Sequence, residues 1–179
     1  MKNNFLIALC GRSGAGKTAV TKRLSELFGW TSVESYTTRP KRKEGERGHI
    51  FISEEEFNKI PLEKMVAYTV FDGHRYCATT EQVEKTEMYI VDFSGVKTLR
   101  ERYHGDKKII VVFLDVATDT LIARMKQRGD SPEKIENRLK NDDRMFHEGE
   151  IDIDLLIDAS KSIDEVAMEI VNYVTAKAA

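Results

Sequence analysis

The stretch that decides the fold is FLIALCGRSGAGKTAVTKRLSELFGW, residues 5–30. Its first six residues form an unbroken apolar run, the pattern of a strand buried on both faces of a parallel sheet. Beyond the glycines, Val20, Leu24, Leu27 and Phe28 recur at helical spacing, and Gly29 is a natural stop. Between strand and helix, GRSGAGKT at 11–18 has two glycines bracketing four residues and followed by Lys and Thr. Glycines let successive N–H groups point inward, and the helix N-terminus adds its positive end. Lys17 then reaches the outer phosphates and Thr18 offers a hydroxyl to Mg²⁺. Gly11, Arg12, Ser13, Gly14, Ala15, Gly16, Lys17 and Thr18 are therefore the expected cradle for a nucleotide's phosphates.

Working outward, MYIVDF (88–93), KIIVVFLDV (108–116) and DLLID (154–158) read as further buried strands, the first two followed by helical patterns such as TLIARMKQR. The last helix opens with Ser162 and Glu165 at capping-box spacing. This alternation predicts an α/β fold, a doubly wound parallel sheet of the P-loop NTPase type. Residues 31–80 break the rhythm. GHIFIS, VAYTVF and HRYCAT are short strand-like pieces, Asp72-Gly73 is a hairpin signal, and SEEEF carries its own capping box. The expected organisation is one domain over 1–179: a core of residues 1–30 and 81–179, with an inserted, mostly antiparallel lobe over 31–80. Gly129 ends one helix and Ser131-Pro132 starts the next, which puts Arg128 and Arg138 near a hinge.

Composition narrows the partners. With 28 Lys+Arg against 30 Asp+Glu the net charge is −2, which argues against both a nucleic-acid sheath and a membrane-surface protein. Cys10 and Cys77 fit neither a disulfide framework nor a metal-ligand spacing and are expected to be buried and reduced. No run approaches a membrane span, and the start lacks a secretory apolar region, so a cytoplasmic protein is expected. It would be a monomer or homodimer whose partners are small-molecule nucleotides.

A phosphate cradle needs a second substrate. SYTTRPKRK at 35–43 gathers Arg39, Lys41, Arg42 and Lys43 around Pro40. Guanidinium groups bind phosphate bidentately, so Arg39 and Arg42 could clamp an anionic acceptor with Ser35 and Tyr36 as hydrogen-bond partners. On composition alone, a solvated basic turn is the competing reading. Asp92 and Asp115 both end buried strands and both qualify to hold Mg²⁺ through water; equally, either could cap the next turn.

GRSGAGKT followed by SYTTRPKRKEGERGHIFISEEEF, FDGHRYCAT, VDFSGVK and RMKQRGDSPEKIENRL resembles the guanylate kinase family in the same order and over almost the whole chain. The resemblance implies transfer of the γ-phosphoryl of ATP to GMP or dGMP, with Mg²⁺, by a core carrying an acceptor-binding lobe (31–80) and a helical lid (124–146). It implies acceptor contacts at Ser35, Arg39, Arg42, His49, Tyr76 and Thr79, and at Asp92 an acid beside acceptor and metal. It also implies that Arg124 reaches the ATP phosphates, and that Arg128 and Arg138 join Lys17 and Arg39 as the catalytic set. Departures from the family concentrate at the base. Ala67 stands where a glutamate receives guanine's N–H donors, Ala78 where a Ser or Thr is usual, His49 where a tyrosine binds phosphate, and Ile90 replaces an acid. Asp92, Thr69, Asp72, Thr79 and Glu81 are the nearby groups that could substitute. A kinase of the same fold acting on another phosphorylated acceptor, a nucleotide or a sugar phosphate, is the main alternative. A non-catalytic nucleotide-binding module ranks below it because the phosphate loop is intact. A GTP-hydrolysing switch is disfavoured, since NKIP at 58–61 lacks the acid that reads guanine in such proteins.

Overall fold

The opening apolar run forms β1 (Phe5–Gly11), and all seven of its residues are buried. The reason is its place in the sheet. The computed structural model, which describes residues 3–147 and 151–178, pairs β1 in parallel on both edges. The glycine loop then leads into α1 (Lys17–Phe28), which stops at Gly29 in a left-handed conformation.

The inserted region supplies a second sheet, from β2 (Ser35–Thr37), β3 (His49–Phe51), β4 (Met65–Phe71) and β5 (His74–Thr79), in the order β3-β2-β5-β4. Two of its three pairings are antiparallel and β2–β3 is parallel. Between β3 and β4 lie α2 (Glu54–Asn58), with the Ser53–Glu56 capping box in place, and a single 3₁₀ turn, Leu62–Lys64. Asp72 and Gly73 turn the β4–β5 hairpin with φ of 52° and 74°, as a tight two-residue connection requires.

After α3 (Thr80–Lys85) the chain returns to the first sheet through β6 (Met88–Ile90), α4 (Phe93–Arg102), β7 (Lys108–Asp115), α5 (Thr118–Gln127), α6 (Pro132–His147), β8 (Leu155–Asp158) and α7 (Ile163–Ala178). The order is β6-β1-β7-β8, parallel throughout. β6 is shorter than its apolar run suggests because Asp92 caps α4, accepting from the Gly95 amide at 2.7 Å. Alternate residues of β1 feed opposite cores. Ile7 and Leu9 pack with Leu24, Leu121, Met125, Ile170 and Val174. Leu6, Ala8 and Cys10 pack with Val96, Leu99, Ala67 and Ala78, which joins the second sheet to the first.

The span expected to form a lid divides. α5 belongs to the core, its Leu121 and Met125 fully buried. α6 is anchored near both ends, by Ile135 in one core and by Phe146 edge-on to Phe93 (4.7 Å) and Phe113 (5.4 Å). It therefore lies across the carboxyl ends of β1 and β6, where open parallel sheets take their ligands.

The loop depends on close backbone approach at Gly11. Its φ is +151°, and a Cβ there would meet the Leu114 carbonyl oxygen at 2.9 Å. Gly11→Ala is therefore expected to cost on the order of 1–3 kcal/mol, read as a lowered denaturation midpoint; an unchanged midpoint would show that the loop relaxes freely.

Candidate active site

Two arginines fasten the loop to its surroundings. Arg12 turns away from the cradle and donates to the Val116 carbonyl (2.9 Å) and the Thr118 hydroxyl (3.1 Å). Arg124 donates to the carbonyls of Gly14 (3.4 Å), Ala15 (3.3 Å) and Ala159 (2.9 Å). The Arg124 side chain thus braces the loop, where the family resemblance implies a reach to the ATP phosphates, and the Arg12 side chain ties the loop to the end of β7. Lys17 Nζ lies within the loop, donating to Gly11 O at 2.5 Å and Arg12 O at 3.0 Å. Its pKa is lowered, chiefly by burial; Asp142 raises it, while Arg138 and Arg128 lower it further.

Opposite the loop, the second sheet presents one face. Phe51, Thr37, Tyr76 and Thr69 lie side by side across its four strands. Two residues along, His49 pairs with Ser35 and Ala78 with Ala67. Alternate residues of a strand share a face, so both rows point the same way. Ser35 Oγ and His49 Nδ1 are 2.9 Å apart, and His49 stacks edge-on to Tyr76. Burial, then the charge of Arg39, lowers the His49 pKa below its usual value, which keeps the ring neutral at pH 7.

Arg39 is buried at 8% exposure. Glu46 holds it through Nη2–Oε1 at 2.7 Å and Nη1–Oε2 at 3.4 Å, and also accepts from the Arg42 amide at 2.6 Å. One carboxylate thus holds the Arg39 side chain and the Arg42 backbone, and its pKa falls to about 2 mainly through the Arg39 hydrogen bond. Across the cleft Asp130 plays the same part, pairing with Arg128, with Lys134 at 2.9 Å and with Arg138 at 3.9 Å. Burial lowers the Arg138 pKa, as do the charges of Arg128 and Arg42, so the acceptor-side and α6 arginines are close enough to repel.

The loop and the second sheet border a cleft of about 230 Å³ lined by the loop (Gly11, Ser13, Lys17), the second sheet (Ser35, His49, Thr69, Phe71, Tyr76), β6 with its following turn (Tyr89 to Asp92), and α6 (Asp142, Met145, Phe146); Arg39, Arg42, Arg128 and Arg138 are not among its lining residues. Asp92 lies in it, with the Thr69 hydroxyl donating to its Oδ2 at 2.8 Å and its pKa raised by burial. Asp115, by contrast, is exposed and not among the lining residues. Thr79 lies outside as well: its hydroxyl accepts from the Gln82 amide to cap α3, and with Glu81 it borders a separate groove beside Tyr36 and Lys64. Ala67 and Ala78, at 1% and 0% exposure, are sealed into the core beside Tyr89. A second groove of about 240 Å³ runs along the other side of the loop, lined by Ala15, Gly16, Ala19, Arg124, Ala159 and Lys161 among others.

Glu46, Tyr89, Asp130 and Asp142 escaped the sequence reading. The first, third and fourth carried a signal, an acid within a basic stretch or one helical turn from Arg138; Tyr89 carried none. For Mg²⁺, the hydroxyl of Thr18 and the carboxylate of Asp92 are hard oxygen donors of the right kind. Among the described residues no three His, Cys, Asp or Glu side chains cluster into a metal cage. That donor set suits an ion held largely by substrate phosphates.

Comparison with known proteins agrees with this architecture. A family model described as an AAA domain matches residues 7–147. A guanylate kinase of Helicobacter pylori (strain J99) is 33% identical over 154 residues, 79% of this chain and 73% of that protein. One from Legionella pneumophila (strain Paris) is 29% identical over 186 residues, 97% of this chain and 86% of that protein. Among solved structures, guanylate kinase from Anaplasma phagocytophilum superposes with a TM-score of 0.65 at 17% identity, over 99% of this chain and 87% of that one. A gluconokinase from Sinorhizobium meliloti 1021 does so at 0.55 and 20%, over 99% and 95%. The structural likenesses speak to the fold. No helix among the described residues is long and apolar enough to cross a membrane.

Because Glu46 holds the Arg39 guanidinium and the Arg42 backbone, Glu46→Gln should raise the acceptor KM by about tenfold, the worth of one charged hydrogen bond, with the ATP KM little changed. Equal effects on both constants would deny Glu46 this role. The depressed Glu46 pKa adds stability that is present above its unfolded value of 4.5 and lost as pH falls toward about 2. Acid unfolding of Glu46→Gln should accordingly be less steep than wild type through that window.

Proposed function

The chain belongs to the guanylate kinase family, and we propose that it moves the γ-phosphoryl of ATP to the phosphate of GMP or dGMP, releasing ADP and the nucleoside diphosphate. It is a P-loop kinase by its relatives and fold; the choice of acceptor is the proposal. The observation that carries it is a phosphate loop facing the second sheet across one cleft, with Arg39, held by Glu46, in the segment that follows β2. We assign the reaction to the cytoplasm, in line with two free, buried cysteines, and to a monomer or homodimer acting on small molecules.

The acceptor phosphate is already anionic at pH 7, so its oxygen attacks the γ-phosphorus without a general base. The neutral His49 then serves as a hydrogen-bond partner alongside Ser35 and Tyr76. What the protein must supply is alignment and positive charge. Lys17 and the loop amides hold the donor's phosphates, Arg39 and Arg42 the acceptor's, and Arg128 and Arg138 approach the group in transit. Thr18 would hold Mg²⁺, which when bound neutralises charge between the donor's phosphates, and the Asp92 carboxylate is left to the acceptor. The donor's nucleoside takes the groove beside Arg124.

Guanine offers two adjacent donors, N1–H and the 2-amino group. With Ala67 and Ala78 sealed behind Tyr89, the polar groups left toward that end of the cleft are Tyr89, Thr69 and Asp92. Thr69 donates to Asp92, so its oxygen keeps lone pairs for a ligand, and the carboxylate has capacity beyond the bonds from Thr69 and Gly95. Both present acceptors, the complement of guanine's edge. A second reading, another phosphorylated acceptor, is favoured by the same burial of Ala67 and Ala78, which removes polar contacts usual in this family.

The two separate by coupled assay of ADP formation with GMP, dGMP, AMP, CMP, UMP and sugar phosphates. GMP and dGMP should be preferred. Asp92→Asn, which retains a helix-capping side chain but offers an amide donor, should raise the rate with xanthosine monophosphate relative to GMP by about 100-fold. GMP turnover no faster than background ATP hydrolysis, with another acceptor preferred, would replace the first reading with the second. An unchanged ratio in Asp92→Asn with active GMP turnover would move base reading elsewhere.

A further inference from the structure

Asp142 is a carboxylate with no part in the reaction as described, yet it touches the phosphate loop. It is carried by α6 and is 5% exposed. Its Oδ2 accepts from the Ser13 backbone amide at 2.7 Å and its Oδ1 from the Ser13 hydroxyl at 3.3 Å. Lys17 and Arg138 are near enough that their charges favour its ionised form, against burial, which raises its pKa.

A buried carboxylate is costly unless its surroundings suit an anion. Here they do, because amides of a glycine-rich loop at a helix N-terminus are built to receive negative oxygen. Ser13 N–H is one of those loop donors, and Lys17 beside it is the residue that meets a nucleotide's outer phosphates. A carboxylate oxygen at 2.7 Å on that amide therefore stands where a phosphate oxygen would stand. Two anions cannot share one donor and one lysine at such short range without strong repulsion.

We propose that Asp142 is an internal anion that occupies part of the donor's phosphate cradle and is exchanged for phosphate when a nucleoside triphosphate binds. The exchange ties donor binding to α6: while Asp142 sits on Ser13, the helix bearing Arg138 is fastened to the loop, and the arriving phosphate takes over both the amide and the neighbouring cations. Asp142 thereby weakens binding of any nucleotide that fills the cradle, and supplies negative charge that keeps Lys17 and Arg138 together without one. The inference rests on the donor being a nucleoside triphosphate and is independent of the acceptor.

The test is titration of the intact protein with ATP by calorimetry, with Mg²⁺ and with EDTA, for wild type, Asp142→Asn and Asp142→Ala. Asn keeps the shape and an oxygen that can accept from Ser13 but removes the charge. The exchange predicts ATP binding tighter by about tenfold in Asp142→Asn, the scale of one charge-assisted hydrogen bond, with Mg²⁺ and without it. It also predicts a larger rise in melting temperature on adding ATP than wild type shows. Weaker binding confined to the Mg²⁺ titration would make Asp142 a metal ligand and overturn the exchange. So would unchanged affinity accompanied by an equal drop in melting temperature with and without ATP, the mark of a packing role. Should Asp142→Ala fail to fold, Asp142→Asn alone decides, and wild type that binds no ATP at all would refute the donor assignment instead.

Discussion

Concentrated positive charge is the constraint on which the rest of this molecule depends. Two phosphate groups can be brought into contact only where several cations converge, and cations brought together in a half-buried cleft repel one another. Burial lowers the pKa of Lys17 and of Arg138, and like charge adds to it: Arg138 and Arg128 on Lys17, Arg128 and Arg42 on Arg138. Three carboxylates offset the repulsion. Glu46 holds Arg39 and the Arg42 backbone, Asp130 gathers Arg128, Lys134 and Arg138, and Asp142 sits beside Lys17 on the loop. The sheets and helices place these acids so that Arg39, Arg128, Lys134 and Arg138 each have a counter-charge beside them, with Asp142 close to Lys17.

This arrangement explains why the fold was more legible than the site. The apolar run at 5–10, the glycine loop and the stop at Gly29 each report local rules, and local rules survive folding intact. The capping boxes at Ser53 and Ser162 survive likewise. Phosphate-loop chemistry is equally local, because the loop's own amides do the work. Side-chain direction is not. Arg12 sits within the motif yet points to Val116, and Arg124 braces the loop from behind, because carbonyls left over at Gly14, Ala15, Val116 and Ala159 needed donors. Thr79 lies close in sequence to Tyr76, but the strand ends there and its hydroxyl caps a helix.

The base pocket shows the same lesson in reverse. Ala67 and Ala78 stood out as lost polar contacts, and their burial beside Tyr89 gives a physical reason: polar atoms sealed in that core would have lacked water and partners. Tyr89 carried no sequence signal, being one aromatic residue in a strand. Thr69 and Asp92 met only through the fold, 23 residues apart, when β4 was laid against α4 and β6. Which groups face a ligand is a property of sheet register, and the register came from the hairpin at Asp72 and the pairing of β2 with β5.

The central claim is that two anion sites face each other across one cleft at phosphoryl-transfer distance. Calorimetric titration with adenosine and guanosine joined through five phosphates tests it most directly, since one molecule then spans both sites. If the sites are aligned, its affinity should exceed that of ATP or GMP alone by at least about 100-fold, the gain from making the second contact intramolecular. Binding no tighter than that of ATP would mean that the acceptor sheet and the loop do not address the same pair of phosphates.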